Sequence, residues 1–212
     1  MYLPAHFEET RPAVLHALLR RHPLGLLITQ DGQGAPVANS IPFMLAPERG
    51  ALGTLVGHVA RANPVWRAPA ADAPALVVFQ GPDGYISPSG YASKAEHGKV
   101  VPTWNYAVVQ ARGPLRVLGD DASAHALVTQ LTRRHEAGQP KPWAVSDAPD
   151  DYISAMLRAI VCIEIPLTAL LGKYKLSQNR SAADVAGVVA ALQVGDAPAQ
   201  ALAEWMQQVP GA

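Results

Sequence analysis

A succession of short β-type runs, each closed by a turn signal, constrains this chain more than any other feature. The runs cover residues 24–29, 37–44, 52–58, 76–80, 103–111 and 115–118. Asp31-Gly32-Gln33-Gly34 reads as a hairpin turn between the first two, with Arg49-Gly50 and Pro82-Asp83-Gly84 as similar breaks. Short strands joined by tight turns favour an antiparallel barrel or sandwich. A later run, 160–166, alternates: Val161, Ile163 and Ile165 share one face, and Cys162 and Glu164 the other, as in a half-buried strand.

Helical patterns surround these runs. Residues 10–21 carry the stripe Val14, Leu15, Leu18 and Leu19, with Pro12 tolerated in the first turn. A second helix starts at Asp120 or Asp121, either of which can cap it, and reaches about residue 135; a short third covers 150–159. Near the C-terminus, Ser181 with Asp184 resembles a capping arrangement for a helix over 182–192, and Asp196 can cap another. No repeat or low-complexity linker interrupts the chain. The simplest parse is one principal domain, 1–170, followed by a basic segment and helical tail, 171–212.

Hydrophobic residues make up 49% of the 212 and charged residues 16%, which marks a folded chain with one sizeable core. Lys plus Arg and Asp plus Glu are 17 each, so the basic excess of a dedicated nucleic-acid binder is missing. A single cysteine, Cys162, forms no internal disulfide and suits a reducing compartment. The opening residues lack a basic region followed by a long apolar core, and no run is long enough to span a membrane. The expectation is a cytoplasmic protein without a membrane partner. Seven scattered histidines lack the spacing of a metal site, and nothing marks a catalytic acid, base or nucleophile.

Three clusters can carry chemistry. Gly57-His58-Val59-Ala60-Arg61-Ala62-Asn63-Pro64 runs from a strand into a turn, where N–H groups and the Arg61 fork would receive an anion, or merely cap and solvate the turn. Tyr85-Ile86-Ser87-Pro88-Ser89 and Val101-Pro102-Thr103-Trp104-Asn105-Tyr106 form the second. Alternation puts Thr103 and Asn105 on one face, Trp104 and Tyr106 on the other, which suits a planar ligand with polar edges unless the aromatics are ordinary core. The third, Lys173-Tyr174-Lys175-Leu176-Ser177-Gln178-Asn179-Arg180, would embrace a charged ligand or lie as a solvated loop before a helix.

Together with Met1-Tyr2-Leu3-Pro4-Ala5-His6-Phe7, these motifs, in order and spanning nearly the whole chain, resemble the PaiB family of small FMN-binding proteins. One departure is Gly90, where a bulky aromatic is expected between Ser89 and Tyr91. The resemblance implies an antiparallel FMN-binding split barrel, mainly β with helices and with a helical C-terminal tail, similar to pyridoxamine phosphate oxidases. It implies a homodimer with FMN at the subunit interface. His58, Arg61 and Asn63 would lie near the phosphate. Thr103, Trp104 and Asn105 would border the ribityl chain or ring, Lys175, Gln178 and Arg180 would reach in from the partner, and Ser87 is a further cofactor-binding candidate. The family label also implies negative transcriptional regulation, through DNA or another regulatory protein, although net charge gives direct DNA contact little support. A flavin-dependent oxidoreductase using a nicotinamide cofactor, or a haem-handling protein on the same barrel, is the alternative.

Overall fold

The computed structural model describes residues 1–67, 74–119 and 121–208. Asp120, one of the two candidate helix caps, lies outside the described residues. These residues form ten strands and six α-helices, and the chain divides into two units. The first comprises Met1–Arg21, Gln80–Val109 and Leu171–Ala212; the second comprises His22–Phe79 and Gln110–Leu170.

In the first unit, helix α1 (Pro12–Arg21) buries Leu15, Leu18 and Leu19, the stripe expected of it. The short strand β1 (Glu8–Glu9) pairs antiparallel with β10 (Ala169–Lys175), Glu8 opposite Lys173 and Glu9 opposite Gly172. The strand order continues through β7 (Thr103–Gly113) to β6 (Ala75–Ile86). A short helix α2 (Ser93–His97) follows β6. Two tail helices complete the unit: α5 (Ala182–Gln193) and α6 (Ala197–Gln208) pack on one another. Both expected caps form, with Ser181 Oγ accepting from Asp184 N at 3.2 Å and Asp196 Oδ1 accepting from Ala199 N at 3.1 Å.

In the second unit, β2 (Leu24–Gln30) pairs with β3 (Pro36–Pro42) across the expected hairpin, whose Asp31 side chain accepts from Gln33 N and Ala35 N. The other edge of β2 pairs with the opening residues of β6, Leu26 facing Val78. A four-stranded antiparallel sheet has the order β4 (Met44–Ala46), β5 (Thr54–Ala60), β9 (Ile160–Pro166), β8 (Arg116–Val117). Helix α3 (Asp121–Glu136) lays Ala124, Leu127 and Leu131 over Val56 and Cys162, and α4 (Asp150–Arg158) adds Leu157. Cys162 is therefore buried like its neighbours Val161 and Ile163, because α3 covers the face of β9 that alternation alone would leave to water.

Two local expectations fail for identifiable reasons. Pro82-Asp83-Gly84 does not break the chain, since β6 runs through it to Ile86. A Cβ on Gly84 would lie 2.9 Å from Leu202 Cδ2, and one on Gly81 3.3 Å from Ala107 Cβ, so these glycines accommodate close neighbours rather than reverse the chain. Similarly, the basic segment 173–180 is not one loop. Its first three residues end β10, and only the remainder turns, with Ser177 at a φ of 70°.

The tail helix α5 approaches the 3-10 turn Pro88–Gly90 backbone to backbone. A Cβ on Gly187 would stand 2.2 Å from Gly90 O. Replacing a mid-helix glycine by alanine gains about 1 kcal/mol of helix propensity. Overpacking costs roughly 1–3 kcal/mol, and a backbone carbonyl has no rotamer in which to escape. With the carbonyl unable to yield, the cost falls toward the upper end of that range, and Gly187→Ala is expected to lose up to about 2 kcal/mol net, read as a lower urea midpoint at unchanged slope.

Candidate functional site

The candidate residues fall into two groups, one in each unit. In the second unit His58 lies on β5 opposite Cys162 of β9. Its Nδ1 is buried with no hydrogen-bond partner, and desolvation pushes its pKa below the ordinary 6.5, so the ring is neutral near pH 7. Just beyond the strand, Arg61 turns toward the protein. Its Nε donates to Arg158 O at 2.6 Å, its backbone N–H to Ala159 O at 2.8 Å and its Nη2 to Ile160 O at 2.8 Å. Arg61 thus satisfies three successive carbonyls where α4 gives way to β9, a favourable place for a cation.

Asn63 caps the 3-10 turn Pro64–Trp66, its Oδ1 accepting from Val65 N at 3.0 Å. Its Nδ2 donates to Asn39 Oδ1 at 2.9 Å, while Asn39 Nδ2 is buried without a partner. Asn39 was not singled out from the sequence. The signal was present, since polar Asn39 and Ser40 interrupt an otherwise apolar strand run.

In the first unit the two faces of β7 separate as alternation requires, but with opposite fates. Asn105 is fully buried: its Nδ2 donates to Ser177 Oγ at 2.8 Å and approaches Met206 Sδ, and its Oδ1 has no partner. Trp104 is 55% exposed and meets the 53% exposed Tyr85 edge to face, with centroids 6.3 Å apart. The pair is open aromatic surface rather than core. Ser87 Oγ accepts from Ser89 N at 3.2 Å, and Ser89 Oγ accepts from Lys94 Nζ at 3.1 Å.

The structure joins Thr103, Trp104 and Lys175. Lys175 Nζ donates to Thr103 Oγ1 at 2.6 Å and to Trp104 O. Gln178 spends its amide on the preceding strand end, accepting from Leu176 N and donating to Tyr174 O. Around Lys175 the cations face rings. Lys175 Nζ lies 5.9 Å from the Phe7 centroid, Lys173 Nζ 5.6 Å from Tyr106, and Arg180 4.8 Å from Tyr91. The ion pairs among the described residues, Arg11–Glu9 and Arg49–Glu164, involve none of the three. Burial, then the charges of Lys173 and Arg180, lower the Lys175 pKa. Asp184 feels Arg180 at longer range but is held by Ser93 N and Oγ at 2.9 Å each.

A sequence model of the family described as "Putative FMN-binding domain" matches residues 1–169. The chain is 32% identical over 208 residues to the protease synthase and sporulation protein PAI 2 of Bacillus subtilis, covering 98% of this chain and 97% of that one. It is 36% identical over 227 residues to an uncharacterised protein of Emericella nidulans, covering 91% and 90%. Its fold is similar to that of the FAD and haem binding protein from Mycobacterium smegmatis, with a TM-score of 0.56, 21% identity, and 80% of this chain and 73% of that chain covered. Fold and family together define an FMN-binding split-barrel protein, with FMN its cofactor. Within that class the chain belongs to the PaiB family, as its ordered motifs imply. No described helix is long and apolar enough to cross a membrane.

His58 makes a pH prediction. Its folded-state pKa is depressed, so below about pH 6.5 the unfolded chain takes up the proton first and stability falls as pH falls. In His58→Gln the loss of urea midpoint between about pH 7.5 and about pH 5.5 is expected to shrink relative to wild type.

Proposed function

We propose that this protein is a homodimeric FMN carrier of the regulatory PaiB type, with the flavin held by the Lys175 surface. The carrying observation is that Lys173, Lys175 and Arg180 stand against aromatic rings and outside every ion pair among the described residues, beside the exposed Tyr85–Trp104 pair. FMN has the complementary parts: an anionic phosphate and a flat ring with polar edges.

In this reading Lys175 and Arg180 supply charge to the phosphate, and Trp104 with Tyr85 supplies ring surface. Thr103 fixes the Lys175 ammonium, Gln178 fixes the turn behind it, and Asn105 anchors that turn from the core. Ser87 provides a polar contact, while in the second unit Asn63 caps its own turn and Arg61 acts on backbone. Bound FMN supplies reversible one- or two-electron chemistry. The regulatory role rests on the similarity to the sporulation protein PAI 2, and zero net charge favours action through a protein partner over direct contact with DNA.

Titration of apoprotein with FMN, followed by flavin fluorescence, tests the assignment. Lys175→Met is expected to weaken binding by about 1.5–3 kcal/mol, roughly ten- to a hundredfold in Kd. Arg61→Met is expected to leave Kd within about twofold while lowering the urea midpoint. Unchanged affinity in Lys175→Met, or a large loss in Arg61→Met, returns the phosphate to the His58–Asn63 turn. Sedimentation of the FMN-loaded protein as a monomer would remove the dimer.

A further inference from the structure

The first unit holds a second concave site unrelated to the flavin residues. A cleft of about 310 Å³ opens between α1 and α6. Its α1 wall is the outward face, Ala13, Ala17 and Arg21, successive positions one turn apart, while Leu15, Leu18 and Leu19 face the core. Two alanines in that row leave the volume open. The floor is Tyr174 of β10 and Trp205 of α6, whose centroids lie 5.5 Å apart at an interplanar angle of 46°. Tyr174 and Lys175 are successive residues of β10 and so point to opposite faces, which separates this floor from the Lys175 surface.

The charges at the two ends of the cleft differ. At one end Arg11 is committed to Glu9, whose Oε1 accepts both Arg11 N at 2.8 Å and Arg11 Nε at 2.9 Å, so that pair is neutral. At the other end the Arg21 guanidinium lies over the Trp205 ring, 5.5 Å from its centroid, and takes part in no ion pair among the described residues. The Tyr174 hydroxyl points to Val14 O at 3.4 Å, and burial raises its pKa, so it stays a neutral phenol. One wall of small residues, an aromatic floor and a single uncompensated fork remain.

We propose that this cleft binds a planar aromatic monocarboxylate, its ring stacked on Trp205 in the place Arg21 now covers and its carboxylate held by the displaced Arg21 guanidinium. A planar fork with one net charge matches a carboxylate bidentately, whereas a phosphate dianion would need further cations that the cleft lacks. Offset or edge-to-face contact with the Trp205 ring, which Arg21 now covers and Tyr174 backs from below, selects a flat ring over an aliphatic chain.

Calorimetric titration of the FMN-loaded full chain with 2-naphthoate tests this, with the neutral 2-naphthylmethanol as control. The expected result is saturable binding of the acid, about tenfold or more weaker for the alcohol and for Arg21→Gln. Ala17→Trp, which fills the cleft from an exposed helix position, is expected to abolish binding at unchanged flavin content. If that variant fails to fold, Ala13→Phe serves the same purpose. Absence of saturable binding at millimolar naphthoate, equal affinity for acid and alcohol, or full binding in a folded cleft-filling variant would each overturn the proposal.

Discussion

The buried amide of Asn105 is the constraint on which the cationic surface depends. A carboxamide with no solvent access costs roughly 1–3 kcal/mol unless it is hydrogen-bonded, so its bond to Ser177 fixes what lies on the other side. Ser177 is itself buried and sits at a φ of 70°, a conformation that costs a non-glycine residue about 1–3 kcal/mol and persists only when its surroundings hold it. With that turn fixed, Gln178 folds back on Tyr174 and Leu176, and Lys175 leaves the strand aimed at Thr103 and the Trp104 carbonyl. Arg180 then falls over Tyr91, and Ser181 opens α5, whose Asp184 closes onto Ser93. One side-chain amide thus sets the geometry of three charged residues.

Those charges gain their significance from what surrounds them. A ring attracts a cation by about 0.5–2 kcal/mol through its quadrupole but carries no net charge, so it positions Lys173, Lys175 and Arg180 without neutralising them. A carboxylate in the same place would cancel the field. The lowered pKa of Lys175 records the mutual cost of this arrangement, since burial and two like charges all disfavour its ammonium. An anion placed among these cations would relieve that cost by favouring the charged ammonium. A chain of zero net charge can therefore hold a locally electropositive site, because the balance is struck over the whole sequence and the field only over the nearest residues.

Much of the fold was legible because periodicity and capping are local. The α1 stripe, the Asp31 hairpin, the Ser181 and Asp196 caps and the β9 span all follow from residues within a turn or a strand of one another. What was not legible depended on partners distant in sequence. Gly81 and Gly84 look like turn residues until Ala107 and Leu202 arrive against them. Cys162 faces water by alternation and the core once α3 covers it. In the site, alternation along β7 correctly separated Thr103 and Asn105 from Trp104 and Tyr106, yet not which face would be buried. A polar face is ordinarily the wet one, and here Asn105 is dry because Ser177 and Met206 meet it.

Arg61 shows how an arginine that looks placed for a ligand can be spent on the fold instead. An arginine at the end of a strand invites assignment to an anion, but the carbonyls of Arg158, Ala159 and Ile160 are needy neighbours, orphaned where α4 ends. Both side-chain bonds lie at the exposed surface, where water competes, so each contributes at the low end of the roughly 0.5–1.5 kcal/mol of a hydrogen bond. The fork satisfies two of them at once and its own backbone N–H the third. That fastening lies where β9 starts at Ile160, opposite Ala60, two residues before Cys162 stands opposite His58. The seven pairs of that ladder share the work of holding the register, and Arg61 adds its bonds at the end where the ladder would otherwise fray, so the arginine acts on the backbone rather than on a ligand.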